Sequence, residues 1–322
     1  MPVITATPGD LPAIKTLIRA ASRSQLGIGD EDLAMLVESG SVLLATAAAI
    51  THPLQRDQID AVAAFYAEPR PTSLPAAEPD RVFLRAAAFR NGVSPSSTLH
   101  ELLDTWCSAP AQRTRLLIAY GGEPWYNRSL LAAACALAEE VIFFELPHLD
   151  RSAPELQAAA GPDAVDVAIR TATVADIGDL ALLDAACFNV LWHMGPADLR
   201  QLVLFGHLTL AEMEGSLAGY LALTTRGSIA QVARLAVHPA WSGHGIGRQL
   251  LTGGLRAAAD LGCRSAVLNT QADNQRAQAL YRSLGFHPTG ERFEVYTRLA
   301  PAAHAGPSAP TDRGVGGAFL PT

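Results

Sequence analysis

Ile229-Ala230-Gln231-Val232-Ala233-Arg234-Leu235-Ala236-Val237-His238-Pro239, then Gly243-His244-Gly245-Ile246-Gly247-Arg248, decides how this chain folds. The first run reads as a strand that stops at Pro239, because proline has no N–H to give a ladder. Leu250, Leu251, Leu255 and Ala258 follow at helical spacing, so a helix opens near Gly245 and closes at Leu261-Gly262. Strand, glycine loop and helix together form a common way of holding phosphate. Glycines let the backbone curl so that several N–H groups share one cavity, and the helix N-terminus adds positive partial charge. A dinucleotide fingerprint counted from Gly243 and Gly245 requires a small residue where Arg248 stands. A triphosphate-binding loop requires Gly-Lys-Ser or Gly-Lys-Thr, and neither occurs here. A glycine turn with no ligand is the remaining alternative.

Working outward, Leu217 to Thr224 predicts a neighbouring strand, joined through the turn Arg226-Gly227. Ala266 to Thr270 is a further strand. Asp273 or Asn274 caps a helix, Gln275 to Leu284, that Gly285 ends, and Phe293 to Leu299 is a last strand. The start of this region repeats the start of the chain. Thr5-Ala6-Thr7-Pro8-Gly9-Asp10-Leu11 returns as Thr171-Ala172-Thr173-Val174-Ala175-Asp176-Ile177, and at the same offset Val42-Leu43-Leu44-Ala45 lies over Leu208-Thr209-Leu210-Ala211. In each copy the aspartate precedes an apolar-periodic helix, where its carboxylate answers free N–H groups. The segment from Ser152 to Asp163 has linker composition, and the stretch after Pro301 offers little to bury. The expected organisation is a domain over 1–150, a second over 165–300, and a disordered tail over 301–322.

Composition narrows the function classes. With 49% hydrophobic and 17% charged residues, the 322-residue chain can build two cores. A formal charge of −7 gives no attraction to nucleic acid or anionic lipid, so neither is expected as a partner. No secretory signal pattern and no apolar run of spanning length is present, which makes the cytoplasm the expected location. Cys107, Cys135, Cys187 and Cys263 are dispersed, with no Cys-x-x-Cys pair, and no metal site is expected.

Leu235-Ala236-Val237-His238-Pro239, the loop Gly243 to Arg248, Asn274, and Ala279-Leu280-Tyr281-Arg282-Ser283-Leu284-Gly285-Phe286 together resemble the GNAT N-acyltransferase superfamily, over about Val167 to Leu299. The resemblance implies an α/β (α+β) fold class, with two tandem copies of a mixed, mostly antiparallel sheet flanked by helices. It implies acetyl-CoA as co-substrate, with Leu235, Ala236 and Val237 pairing their backbone with the pantetheine arm like an added strand. It implies that the amides of Gly243, His244, Gly245, Ile246, Gly247 and Arg248 cradle the pyrophosphate. Asn274 corresponds to a side-chain contact to the cofactor and Tyr281 to the general acid. A phenol can protonate the departing thiolate if held at hydrogen-bond distance. An aromatic on a buried helix face is the plainer reading of Tyr281. One departure is Ser242, where the family carries Gln or Arg, and weaker cofactor affinity is expected from it.

No general base is evident. The positions where family members place a glutamate hold Gln231 and Asn269, amides that take no proton near neutral pH. His193 is a candidate, although a core or solvent-facing histidine is the plainer and preferred reading. Phe188 and Trp192 are candidates for an acceptor pocket, while Glu212, Glu214 and Glu294 read as solvated charges. In the first copy, laying Val82 to Phe89 over Ala230 to Val237 puts Ser97 at Gly245, Leu99 at Gly247 and Pro95 near Gly243. Laying Asn127 over Asn274 puts Ala134 at Tyr281, so this copy resembles a degenerate one. The expected activity is acetyl transfer to the amine of a small-molecule acceptor, by a monomer or homodimer. A non-catalytic acyl-CoA-binding or regulatory protein, and a peptide or protein acetyltransferase, are the alternatives.

Overall fold

In both halves of the chain, an aspartate three residues beyond a threonine closes the turn that launches the first helix. Thr7 donates its backbone N–H and its hydroxyl to Asp10 Oδ2, each at 2.8 Å, and Thr173 does the same to Asp176 at 2.7 and 2.9 Å. The computed structural model describes residues 1–47, 54, 58–149 and 167–302. The expected linker and nearly all of the expected tail lie outside these residues.

The first half runs β1 (Val3–Thr5), α1 (Leu11–Ala20), β2 (Arg23–Leu26), α2 (Asp30–Glu38), β3 (Val42–Thr46), β4 (Ile59–Ala67), β5 (Asp80–Phe89), α3 (Pro95–Ser108), β6 (Arg115–Tyr120), α4 (Pro124–Ala132) and β7 (Ala136–Leu146). The second half runs β8 (Ala168–Thr171), α5 (Ile177–Cys187), α6 (Pro196–Phe205), β9 (His207–Met213), β10 (Ser216–Arg226), β11 (Ile229–Val237), α7 (Ile246–Asp260), β12 (Ser265–Gln271), α8 (Gln275–Ser283) and β13 (His287–Ala300). Apart from β2, the strands and helices of the two halves follow the same order. Among the described residues only β5–β6 and β11–β12 pair in parallel, so each half is a mixed, mostly antiparallel sheet flanked by helices.

The strands form one continuous sheet in the order β1-β3-β4-β5-β6-β13-β7-β12-β11-β10-β9-β8, with β2 paired to β5. That order contains an exchange. β7, the last strand of the first half, pairs with β12 of the second, and β13 pairs with β6 of the first. The two exchanged strands also pair with each other, from His287↔Glu145 to Thr297↔Ala136. This explains why β13 is longer than the expected Phe293 to Leu299: it must reach across both sheets.

Packing follows the exchange. Phe144 and Leu146 of β7 are buried with Leu221, Leu250, Leu251 and Leu255 in the second half's core. Tyr296 and Ala300 of β13 are buried with Leu84, Leu99, Leu102 and Trp106 in the first half's core. Helix α7 lies close on β10, since a Cβ on Gly254 would stand 2.1 Å from Leu221 Cδ2. Each fully buried large apolar side chain stabilises by roughly 1.5–3 kcal/mol, so each half depends on the other for part of its core. Fragments 1–150 and 165–322 expressed separately should therefore be unfolded or aggregated, and should assemble when co-expressed. Circular dichroism and size exclusion read this out. A cooperative melt of either fragment alone, near the intact chain's Tm, would contradict it.

Candidate active site

The cavity originates in a mismatch between neighbouring strands. β11 pairs with β12 only at Ile229↔Ser265, Ala230↔Ala266 and Gln231↔Val267, and the two then diverge. On its other side β11 stays paired with β10 through Val237, with Ala233 as a one-residue bulge. The edge of β11 that faces β12 therefore has no ladder partner beyond Gln231. Backbone groups left open in this way are what an added extended segment pairs with. A cavity of about 480 Å³ occupies the opening. Of the residues singled out in the sequence, Leu235, Ala236, Val237, Gly243, Gly245, Ile246, Gly247, Arg248, Asn274 and Tyr281 line it together. His244 does not, because its ring packs edgewise on Trp241, with centroids 6.1 Å apart.

The glycine loop is shaped as its sequence requires. Gly243 and Gly245 have φ of +100° and +80°, a region closed to most side chains, and Gly245 caps α7. Among the described residues, none of the backbone N–H groups from Gly243 to Arg248 donates to another backbone group. The next, Gln249, donates to Gly245 O at 3.1 Å. Apart from His244, the residues carrying these free donors line the cavity at a helix N-terminus.

Asn274 caps α8 by accepting from Ala277 N at 3.1 Å, which leaves its side-chain NH2 for the cavity. One helix face farther on stands Tyr281, 6% exposed, with its ring against Phe144 and Phe286 at 6.0 and 6.1 Å. Burial pushes its phenol up to about 12, so it stays protonated throughout the neutral range.

The far end of the cavity is walled by Val141, Cys187, Phe188 and Trp192. A buried ion pair supports this wall, Arg234 lining the cavity and Asp184 lying behind it. Asp184 is fully buried and receives Arg234 Nε and Nη2, both at 2.9 Å, the Tyr220 hydroxyl, and Met194 N at 2.7 Å. Arg234 also donates to Trp192 O and lies 3.4 Å above the Phe188 ring. Sequence reasoning missed this group. Its signal was a charged residue, Asp184, one place after Leu183 on an apolar helix, and an arginine inside a buried strand.

The first half grips the same loop. Arg81 of β5 donates to His193 O at 2.7 Å and to Val190 O at 3.2 Å, and Ser73 meets His193 Nε2 at 3.1 Å. Glu139 of β7 accepts from the Trp192 indole and from Asn189 Nδ2. His193 is 2% exposed and does not line the cavity, and burial lowers its pKa. It is therefore a neutral structural histidine between the halves, and its candidacy as base ends here. Glu212 and Glu294 are likewise engaged, with Arg170 and Asn127 respectively, rather than simply solvated.

The degenerate copy shows why it is degenerate. β5 and β6 pair over Asp80–Phe83 and Arg115–Ile118 and then diverge, as β11 and β12 do. Here the opening is filled: β2 pairs Arg23 to Leu26 along Phe89 to Ala86. The loop to α3, Arg90 to Ser94, is also shorter than His238 to Gly245. This corrects the sequence alignment. Ser94, not Ser97, stands at the helix cap where Gly245 stands, and Ser97 and Leu99 lie within α3. Counted from the cap of α4, buried Leu130 takes the place of Tyr281, not Ala134.

The chain is similar to known proteins of one family. The family model described as Acetyltransferase (GNAT) family matches residues 179–286. N-alpha-acetyltransferase RimI of Mycobacterium tuberculosis is 33% identical over 141 residues, covering 42% of this chain and 87% of that protein. A mycothiol acetyltransferase of Kineococcus radiotolerans is 35% identical over 152 residues, 44% of this chain and half the length of that protein. Among solved structures, a tandem GNAT protein from the clavulanic acid biosynthesis pathway superposes with a TM-score of 0.50 at 15% identity, over 94% of this chain and 99% of that one. The last likeness concerns the fold alone.

Removing one member of the buried ion pair strands the other. Asp184→Ala should cost about 3–5 kcal/mol of stability by urea denaturation. A loss below about 1 kcal/mol would show that Arg234 does not depend on it.

Proposed function

We propose that this chain, which belongs to the acetyltransferase (GNAT) family, transfers the acetyl group of acetyl-CoA to the amine of a small-molecule acceptor in the cavity between β11 and β12. One observation carries the reading: a free strand edge, a row of free amide N–H groups and a buried tyrosine meet in one cavity. The edge from Leu235 to Val237 pairs with the pantetheine amides, the loop from Gly243 to Arg248 takes the pyrophosphate, and Asn274 contacts the arm. The thioester then lies near Tyr281. The amine nitrogen attacks the thioester carbonyl, the C–S bond breaks, the Tyr281 hydroxyl protonates the departing sulfur, and the proton shed by the nitrogen as the amide forms returns through water to the Tyr281 oxygen. Two domains, about 1–150 and 165–300, divide the work: the second binds and reacts, and the first braces the acceptor wall.

Burial supports Tyr281 in this role: its phenol, pushed up to about 12, keeps its proton throughout the neutral range and so is present as a donor when the C–S bond breaks.

No aspartate, glutamate or histidine is among the residues that line the cavity. The acceptor amine must therefore lose its proton to water before attack. A small acceptor is favoured because Arg81, Ser73 and Glu139 tie the loop that carries Trp192 to the first half, which fixes an aromatic side to the cavity.

Thiol release from acetyl-CoA, measured across a panel of small amines and of peptide N-termini, tests the reading. Turnover with small amines is expected, and turnover confined to peptides would assign the acceptor to that class. Tyr281→Phe should lower kcat about a hundredfold or more, with acetyl-CoA affinity changed less than about twofold. Unchanged turnover would remove Tyr281 from the mechanism. With the preferred amine, kcat/KM should rise with pH up to the amine's own pKa and then stay level past pH 10. This follows because Tyr281 keeps its proton until about 12. A fall beginning below pH 9 would contradict that assignment.

A further inference from the structure

The mouth of the cavity carries more positive charge than the fold itself can use. Arg276 is the second residue of α8 and Arg248 the third of α7, so each is a cation in the first turn of a helix, and neither first turn holds an acidic residue. A cation at a helix N-terminus opposes the helix dipole, which makes the placement unfavourable for the empty protein. Arg248 donates to Ser283 Oγ at 2.7 Å. Arg276 reaches from α8 across to the loop, where Nη1 donates to Ser242 Oγ and Nη2 lies 3.6 Å from where a Cβ on Gly243 would be. Among the described residues no carboxylate pairs with Arg276, whereas Arg170, Arg234 and Arg292 of the same half each have one. Beside it stand the free N–H groups of Gly243 to Arg248. Two helix N-termini, the Arg276 guanidinium and a row of amides therefore meet at one opening, and among the described residues no carboxylate pairs with Arg276.

We infer that Arg276 is the cationic clamp on the pyrophosphate of the bound cofactor, held by Ser242 over the glycine loop. This rests on the reading of the cavity as an acetyl-CoA site. It changes the expectation attached to Ser242. The cation missing from the start of the loop is supplied from the opposite wall, and the serine hydroxyl orients it. The guanidinium meets the outer phosphate oxygens while the loop amides meet the inner ones, a division suited to a diphosphate bridge.

Isothermal titration of acetyl-CoA and of its 3′-dephospho analogue into the full chain tests this. Arg276→Ala should weaken both ligands by a similar factor, about tenfold to a hundredfold. Arg276→Lys, which keeps the charge without the fork, should recover part of the loss. The double variant Arg276→Ala with Ser242→Arg should recover most of it. The ligand-free Tm of Arg276→Ala should be equal to or above that of the natural chain. Weakening for acetyl-CoA alone would place Arg276 on the 3′-phosphate and overturn the assignment, as would unchanged affinity for both or a lowered ligand-free Tm. If the natural chain itself fails to bind acetyl-CoA, the underlying reading falls first and the clamp falls with it.

Discussion

β11 and β12 stay paired for three residues and then part, and both the cavity and its chemistry follow from that divergence. A strand edge inside a protein is costly to leave without partners, because each backbone N–H and C=O removed from water needs a hydrogen bond. The two halves of the chain meet this cost differently. In the first, the protein's own β2 lies along β5 and closes the opening. In the second, no strand among the described residues does so, and the edge, the glycine loop and the start of α8 line one cavity together. The same strand divergence is thus covered by β2 in one copy and left open in the other.

The exchange of last strands gives the closed copy a reason to persist. β7 brings Phe144 against Tyr281 and Val141 to the cavity wall, and it carries Glu139 to the Trp192 indole. From β5, Arg81 holds the same loop through two carbonyls. A phenol buried between Phe144 and Phe286 owes its raised pKa partly to a strand from the other half. The first copy reaches the site through packing and hydrogen bonds.

Much of the second half was legible in the sequence because its signals are local. The periodicity of Leu250, Leu251 and Leu255 placed α7, Pro239 ended β11, and Gly243 and Gly245 announced backbone that only glycine adopts readily. The repeated Thr-x-x-Asp turn marked both starts. What escaped was non-local. Nothing in Arg23 to Leu26 says that this segment will lie along β5, and nothing in β13 says that it will pair with β6. The shorter loop before α3 misled the alignment of the first copy by a few residues. The Asp184–Arg234 pair, the Glu139 contact and the reach of Arg276 to Ser242 each join residues far apart in the chain, where no spacing rule applies.

The most direct measurement is a crystal structure of the full chain grown with acetyl-CoA. One cofactor per chain is predicted, its pantetheine along Leu235 to Val237, its pyrophosphate at Gly243 to Arg248 and its sulfur within hydrogen-bond reach of the Tyr281 hydroxyl, with Arg23 to Leu26 still paired to β5. Acetyl-CoA bound in the first half with β2 displaced, or bound away from the opening between β11 and β12, would contradict the account.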